Sequence, residues 1–188
     1  MNTVTPVIVP VAQDAPYRSP LAVQRQREAA RCALTECARR CGAPLDGWTQ
    51  DGKDRPVPNE GHYWSISHGR GLAGAVIAGK PVGIDVEEVI PRDRDLSRAL
   101  ATDTEWAIVG DRSWDSFFRV WTAKEATLKA NGAGIAELLD CRLVGIEGDR
   151  QMTLAYRGQS WRVEQCFHAN HVVTVTCSDA SIEWVLLD

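Results

Sequence analysis

No stretch of this sequence stays apolar for the roughly 20 residues that a helix needs to cross a bilayer, so a membrane-spanning helix is excluded. The start, Met1 to Ala12, is apolar but lacks the basic segment that opens a secretory signal peptide. An excess of positive charge is also missing. There are 21 Lys and Arg against 25 Asp and Glu, for a net charge of −4. That argues against broad nucleic-acid binding, which needs a basic face, and leaves room for a local basic pocket. The 6 cysteines show no spacing of a zinc or iron–sulfur site. Cys32, Cys37 and Cys41 share one predicted helix, Cys141, Cys166 and Cys177 are scattered, and all read as reduced, buried thiols. No internal repeat or low-complexity tract is present. The expectation is a soluble, cytoplasmic protein with neither a membrane nor a nucleic acid as partner.

What is present suffices for a folded core: 188 residues, 44% hydrophobic and 24% charged. Residues 117–130 read as one helix. Phe117, Val120, Trp121, Lys124 and Leu128 recur at i, i+3, i+4, i+7 and i+11, a mostly apolar stripe. Asn131-Gly132 ends it, since both residues tolerate the left-handed conformation. Glu125 and Lys129 are i,i+4 neighbours beside that stripe, about 6 Å apart along the axis. Such a pair can act as general base and general acid, or simply stabilise the helix by a few tenths of a kcal/mol.

Upstream, Val82 to Glu87 alternates with period two and reads as a strand. Val82, Ile84 and Val86 face one way; Gly83, Asp85 and Glu87 face the other. Two carboxylates on one strand face stand roughly 6–7 Å apart. Oxygen ligands of this kind suit magnesium, which keeps positions open for water and phosphate. The alternative is a strand edge with its acids in water.

Gly83-Ile84-Asp85-Val86-Glu87 followed by Trp121-Thr122-Ala123-Lys124-Glu125-Ala126-Thr127-Leu128-Lys129 resembles the paired signatures of the 4′-phosphopantetheinyl transferase superfamily, Sfp-type group. The family carries Gly-Ile-Asp-x-Glu and then Trp-(Ser/Thr)-x-Lys-Glu-(Ala/Ser)-x-x-Lys. Trp121, Thr122, Lys124, Glu125, Ala126 and Lys129 fill every specified position of the second motif.

The rest of the chain is read around these two motifs. Residues 1–18, with Pro6, Pro10 and Pro16, are expected to be irregular. Ser19-Pro20 opens a helix that ends at Gly42, with Ala30, Ala33, Leu34, Cys37 and Cys41 as its buried stripe. Arg27 and Arg31 lie one turn apart on a neighbouring face, either a phosphate grip or a solvated basic face. Pro44 to Gly61 is a loop. Tyr63 to His68 and Leu72 to Ala78 are strands, the first opening into Gly69-Arg70-Gly71. A charged stretch from Glu88 to Arg94 divides the halves, residues 1–88 and 89–188. A helical stretch through Leu96 and Leu100 follows, and then a capping box, Thr102 to Glu105, which is the preferred role for Glu105. Five short strands follow Gly134: Cys141 to Ile146, Gln151 to Tyr156, Trp161 to Phe167, His171 to Cys177 and Ile182 to Leu187. His168 and His171 flank a hairpin turn, and Trp161 and Trp184 are expected to pack in a core or interface.

The fold class expected is α+β, and the resemblance implies two similar halves packed as a pseudo-dimer with coenzyme A in the cleft between them. It further implies transfer of 4′-phosphopantetheine from coenzyme A to a serine of an apo acyl or peptidyl carrier protein, by a monomer and with Mg2+. Asp85, Glu87 and Glu125 would hold the metal, and Glu125 and Lys129 would be catalytic. Coenzyme A would be met by Arg31, with Arg27 the weaker candidate, and by Ser67, His68, Lys124, Lys129 and one of Lys53 or Arg55. The family's Gly-(Lys/Arg)-Pro turn is interrupted here as Gly52-Lys53-Asp54-Arg55-Pro56, and Gly69 stands where its Ser-x-Ser-His-Ser motif ends in Ser. Two other classes fit the residues less completely: a magnesium-dependent phosphodiesterase and a non-catalytic coenzyme A or carrier-protein binding module.

Overall fold

The structure, a computed structural model, describes residues 3–16, 18–93, 95–177 and 179–188. Its elements in order are β1 (Thr3–Val4), β2 (Val7–Pro10), α1 (Pro20–Cys41), β3 (Tyr63–His68), β4 (Leu72–Ala78) and β5 (Ile84–Glu88). Then come α2 (Leu96–Leu100), α3 (Asp103–Val109), α4 (Trp114–Ala130) and a 3-10 turn at Ile135–Glu137. The chain finishes with β6 (Arg142–Glu147), β7 (Gln151–Tyr156), β8 (Gln159–His168), β9 (His171–Thr176), β10 (Ser181–Ile182) and β11 (Val185–Leu186).

Local chemistry sets the helix ends. Ser19 Oγ accepts the Ala22 N–H ahead of α1, and Gly42 closes that helix in the left-handed conformation. Thr102 and Glu105 form a reciprocal capping box on α3, which Gly110 terminates. Ser113 caps α4, so the helix starts before Phe117. At its far end Asn131 is right-handed (φ −96°) and only Gly132 is left-handed (φ 61°).

The molecule is α+β, in four layers. The inward faces of β2, β3 and β4 (Val7, Val9, Trp64, Ala73, Ala75, Ile77) bury against Ala30, Ala33, Leu34, Cys37 and Ala38 of α1. Their opposite faces (Ile8, Leu72, Val76) pack on Ile84, Val86, Val173 and Val175 of a second sheet. The far face of that sheet (Leu143, Met152, Leu154, Val163, Val172) carries α4 through Phe117, Val120, Ala123 and Leu128. One sheet has the order β11-β2-β4-β3, the other β5-β9-β8-β7-β6, and β1 pairs separately with β10.

Several expectations are corrected. Residues 1–18 contain β1 and β2, because Val4, Val7, Ile8 and Val9 find partners at the other end of the chain and in β4; residues 1, 2 and 17 lie outside the described residues. The sheets are not partitioned at residue 88. β5 hydrogen-bonds to β9, while β10 and β11 return to the N-terminal strands. Arg94, at the end of the expected dividing stretch, is outside the described residues. Cys41 leaves the α1 stripe and is exposed, as is Cys32; the other four thiols are buried, and all six are free. Finally, His171 is more than a turn residue. It is buried, with Nδ1 2.7 Å from Ala169 O and Nε2 2.6 Å from Arg70 O, so it ties the β8–β9 hairpin to the β3–β4 turn. The last expected strand splits into β10 and β11, with Trp184 donating to Glu164 Oε1 between them at 3.1 Å.

Candidate active site

The two edge strands β3 and β5 run side by side without a backbone ladder. Serine hydroxyls replace it: Ile84 N–H donates to Ser65 Oγ and Val86 N–H to Ser67 Oγ, each at 3.2 Å. Gly83, just ahead of β5, passes directly under α4. A Cβ there would lie 1.9 Å from Ala126 O and 2.8 Å from Ala130 N, so only glycine lets the strand come this close to the helix. That approach brings the Gly-Ile-Asp-Val-Glu strand and the Trp-Thr-Ala-Lys-Glu helix together.

Asp85 pairs across the sheet with Thr174 and Glu87 with Val172, so both carboxylates point to the α4 side. Lys129 Nζ donates to Asp85 Oδ1 at 2.6 Å, to Ser67 Oγ at 3.0 Å and to Ile84 O at 3.1 Å. Ser67 also donates to Asp85 Oδ1 at 2.9 Å. Burial pushes the Glu87 carboxyl up to about 7, and neighbouring Asp85 and Glu125 add to the rise. Glu125 is raised by burial and by Asp85. Asp85, Glu87 and Glu125 therefore repel one another across the gap between β5 and α4. Arg92, just beyond β5, opposes the rise at Glu87 and lies over the Phe118 ring at 6.0 Å.

Oxygen Oδ2 of Asp85 and Oε1 of Glu125 are buried without a hydrogen-bond partner. Among the described residues, no three His, Cys, Asp or Glu side chains converge closely enough to hold a metal ion by themselves. Magnesium commonly takes one or two carboxylates and fills its remaining positions with water and substrate phosphate. The orphaned oxygens fit a hard cation shared with a phosphate ligand; they do not form an all-protein cage.

On the other side of Lys129 lies a cavity of about 520 Å³ lined by Arg27, Arg31, Gln50, Asp54, Ile66, Ser67, His68 and Lys129. It is basic and open, with a volume in the range of small-molecule sites. The His68 imidazole is held below its ordinary value by burial and then by Lys129 and Arg27, and its Nδ1 has no partner. A second cavity, about 490 Å³, sits at the opposite ends of β3 and β4, where Cys41, His62 and Lys80 contribute but none of the three carboxylates does.

The structure thus gathers Arg27, Arg31, Ser67, His68 and Lys129 around one cavity, with Asp85, Glu87 and Glu125 beside it. Three expected coenzyme A contacts are not placed there. Lys124 is fully buried and turned away; it meets Glu105 Oε1 at 2.7 Å and donates to Leu100 O and Leu138 O. Glu105 in turn takes the Thr102 and Leu143 N–H groups, so this ion pair is a saturated knot joining α3, α4 and β6. Arg55 is paired with Asp51, whose carboxyl it holds down at about 2, and Lys53 is exposed; neither lines the cavity, although Asp54 between them does. Sequence reasoning missed Gln50, Asp54 and Ser65. Gln50 and Asp54 carried no motif. Ser65 lies in the quoted Ser-x-Ser-His pattern, and its period-two relation to Ser67 was the available signal.

Comparison with known proteins identifies the family. Residues 81–177, just over half of the chain, match the 4′-phosphopantetheinyl transferase superfamily. A 4′-phosphopantetheinyl transferase of Bacillus subtilis is 31% identical over 97 residues, which cover 49% of this chain and 43% of the relative. The 4′-phosphopantetheinyl transferase HetI of a Nostoc species is 36% identical over 93 residues, 42% of this chain and 36% of that protein. The L-aminoadipate-semialdehyde dehydrogenase-phosphopantetheinyl transferase of Schizosaccharomyces pombe is 32% identical over 104 residues, 44% and 40% of the two chains. The matched stretch spans less than half the length of these relatives. It contains β5 with Asp85 and Glu87 and α4 with Glu125 and Lys129, the two elements whose contact builds the site, and on that basis the chain belongs to the 4′-phosphopantetheinyl transferase superfamily.

Proposed function

We propose that the protein moves the 4′-phosphopantetheine group of coenzyme A onto a serine of an apo acyl or peptidyl carrier protein, with Mg2+, releasing adenosine 3′,5′-bisphosphate. The observation that carries this reading is Lys129, which stands between a basic cavity and a set of mutually repelling carboxylates. A pyrophosphate ligand needs both: cations for its charge, and acids to hold a metal and accept a proton.

Arg27, Arg31 and His68 would take the nucleotide phosphates of coenzyme A, leaving the pyrophosphate beside Lys129. Asp85, Glu87 and Glu125 would hold Mg2+, which when bound neutralises charge on the pyrophosphate. Glu125 accepts the proton of the incoming serine, directly or through water. The serine oxygen bonds to the phosphorus that carries pantetheine. The bond from that phosphorus to the bridging oxygen breaks, and adenosine 3′,5′-bisphosphate leaves with the electron pair. Lys129 stabilises the charge on the departing oxygens. The stacking of one long helix on each sheet supports the pseudo-dimer reading, with the reaction at the seam between them. Coenzyme A and apo carriers as substrates place the protein in the cytoplasm, and the reading needs only a monomer.

Intact-protein mass spectrometry tests this. The protein is mixed with coenzyme A, Mg2+ and a panel of apo carriers, with a chelator control. The expected result is a carrier mass gain of one phosphopantetheine that disappears with chelator. Coenzyme A cleaved without a carrier would replace the reading with a phosphodiesterase; coenzyme A bound and never turned over would replace it with a binding module.

A further inference from the structure

We propose that Ser67 is a positioning residue that fixes which oxygen of Asp85 faces a bound cation, and that its hydroxyl makes no contact with coenzyme A phosphate. The proposal rests on the transfer reading and deepens it at one residue.

A serine hydroxyl has one hydrogen to give and two lone pairs to accept with. Here the hydrogen goes to Asp85 Oδ1 at 2.9 Å. The lone pairs take the Val86 N–H at 3.2 Å and Lys129 Nζ at 3.0 Å. Ser67 is 8% exposed and saturated, although it lines the cavity. It has no hydrogen left for a phosphate oxygen, and its occupied lone pairs would only repel one. Oδ1 of Asp85 is held by Ser67 and Lys129 together, so Oδ2, buried and unpartnered, is the oxygen left to offer. Partners that orient a metal ligand in this way contribute to metal affinity without touching the metal.

Ser65 supplies the control. It accepts the Ile84 N–H at 3.2 Å and so forms the other stitch of the β3–β5 seam, but it is not a partner of Asp85 Oδ1. Ser65→Ala removes a stitch alone; Ser67→Ala removes a stitch and the orientation of Asp85.

The experiment uses the full chain in three measurements: thermal unfolding, coenzyme A calorimetry in chelator, and Mn2+ titration of the protein saturated with coenzyme A. Both alanine variants should lower the melting temperature to a similar extent. Ser67→Ala should weaken Mn2+ binding by about tenfold or more, and Ser65→Ala by less than about twofold. In a Lys129→Ala background, which removes the phosphate-facing partner of Ser67, coenzyme A affinity in chelator should fall no further on adding Ser67→Ala than on adding Ser65→Ala. Ser67→Thr, which keeps the hydroxyl, should restore Mn2+ affinity, and it serves as the reference if Ser67→Ala does not fold. Loss of coenzyme A affinity specific to Ser67→Ala in the Lys129→Ala background would show a direct phosphate contact and overturn the proposal, as would unchanged Mn2+ affinity in Ser67→Ala alone. Wild-type protein that binds no Mn2+ alongside coenzyme A would overturn the transfer reading itself, before any variant is compared.

Discussion

The ammonium of Lys129 lies 2.6 Å from Asp85 Oδ1, while Lys124 on the same helix turns away to meet Glu105 at 2.7 Å. Both lysines belong to one sequence motif, yet they do different work. Five residues along an α-helix is a rotation of about 140° beyond a full turn, so the two side chains leave opposite sides of α4. One lysine side chain is 30% exposed at the cavity; the other is fully buried.

The Lys124–Glu105 pair should be stabilising only as a pair. Lys124→Met leaves Glu105 buried with its best partner gone and should cost about 3–5 kcal/mol in urea unfolding. Adding Glu105→Leu should recover part of that loss, because the stranded charge is removed, although the Thr102 cap is lost with it. A double-mutant cycle without a coupling term would show that the pair does not act as a unit.

Gly83→Ala tests the close approach of β5 to α4. The added methyl meets Ala126 O at 1.9 Å, backbone that cannot rotate aside. The expected result is a loss of at least about 1–3 kcal/mol, together with slower transfer, since Glu125 and Lys129 move away from Asp85. Wild-type stability and rate in this variant would mean the helix–strand contact is looser than described.

Glu125→Gln removes the carboxylate proposed as proton acceptor and metal ligand but keeps the side chain's shape. Transfer to an apo carrier should fall by at least about a hundredfold, with the melting temperature and coenzyme A binding nearly unchanged. The rate of phosphopantetheine mass gain measures the first, and calorimetry the second. A variant that retains normal turnover would remove Glu125 from the mechanism.

Arg31→Ala should raise the KM for coenzyme A by about tenfold, the scale of one charge-assisted hydrogen bond, with a smaller change in kcat. If Arg31 meets the 3′-phosphate, the variant should lose less with 3′-dephospho-coenzyme A. Equal losses with both substrates would place the contact elsewhere on the nucleotide.

His68 gives a pH test. Burial, helped by Lys129 and Arg27, holds its imidazole below the usual 6.5. As pH falls through that usual value, the unfolded chain takes the proton before the folded one does. Stability from the neutral imidazole is thus full above about pH 6.5 and is lost as pH falls toward the folded value. A phosphate docked beside His68 reverses the shift, so coenzyme A binding should take up a proton. Calorimetry in two buffers of different ionisation enthalpy should show that uptake near pH 6.5, and His68→Gln should lack it. Identical uptake in the variant would assign the proton to the ligand itself.

The sequence by itself determined what depends on near neighbours. Ser19-Pro20 and Gly42 marked both ends of α1, Thr102 and Glu105 marked the start of α3, and alternation marked β3 and β5, because caps and side-chain period act within a few residues. The order of the two motifs was enough to suggest the family. Tertiary structure decided the rest. β1 and β2 exist because β10, β11 and β4 satisfy their backbone groups, and two of those three pairings, β1 with β10 and β2 with β11, join the two ends of the chain. Whether Lys124 or Lys129 served the carboxylates depended on which side of α4 faced β5. Ser67 stood in the motif as a phosphate contact, and only the arrival of Asp85, Val86 and Lys129 around its oxygen showed that hydroxyl fully occupied. A hydrogen-bonding group can be named from the chain, but its free capacity is known only after every partner brought in by the fold has been counted.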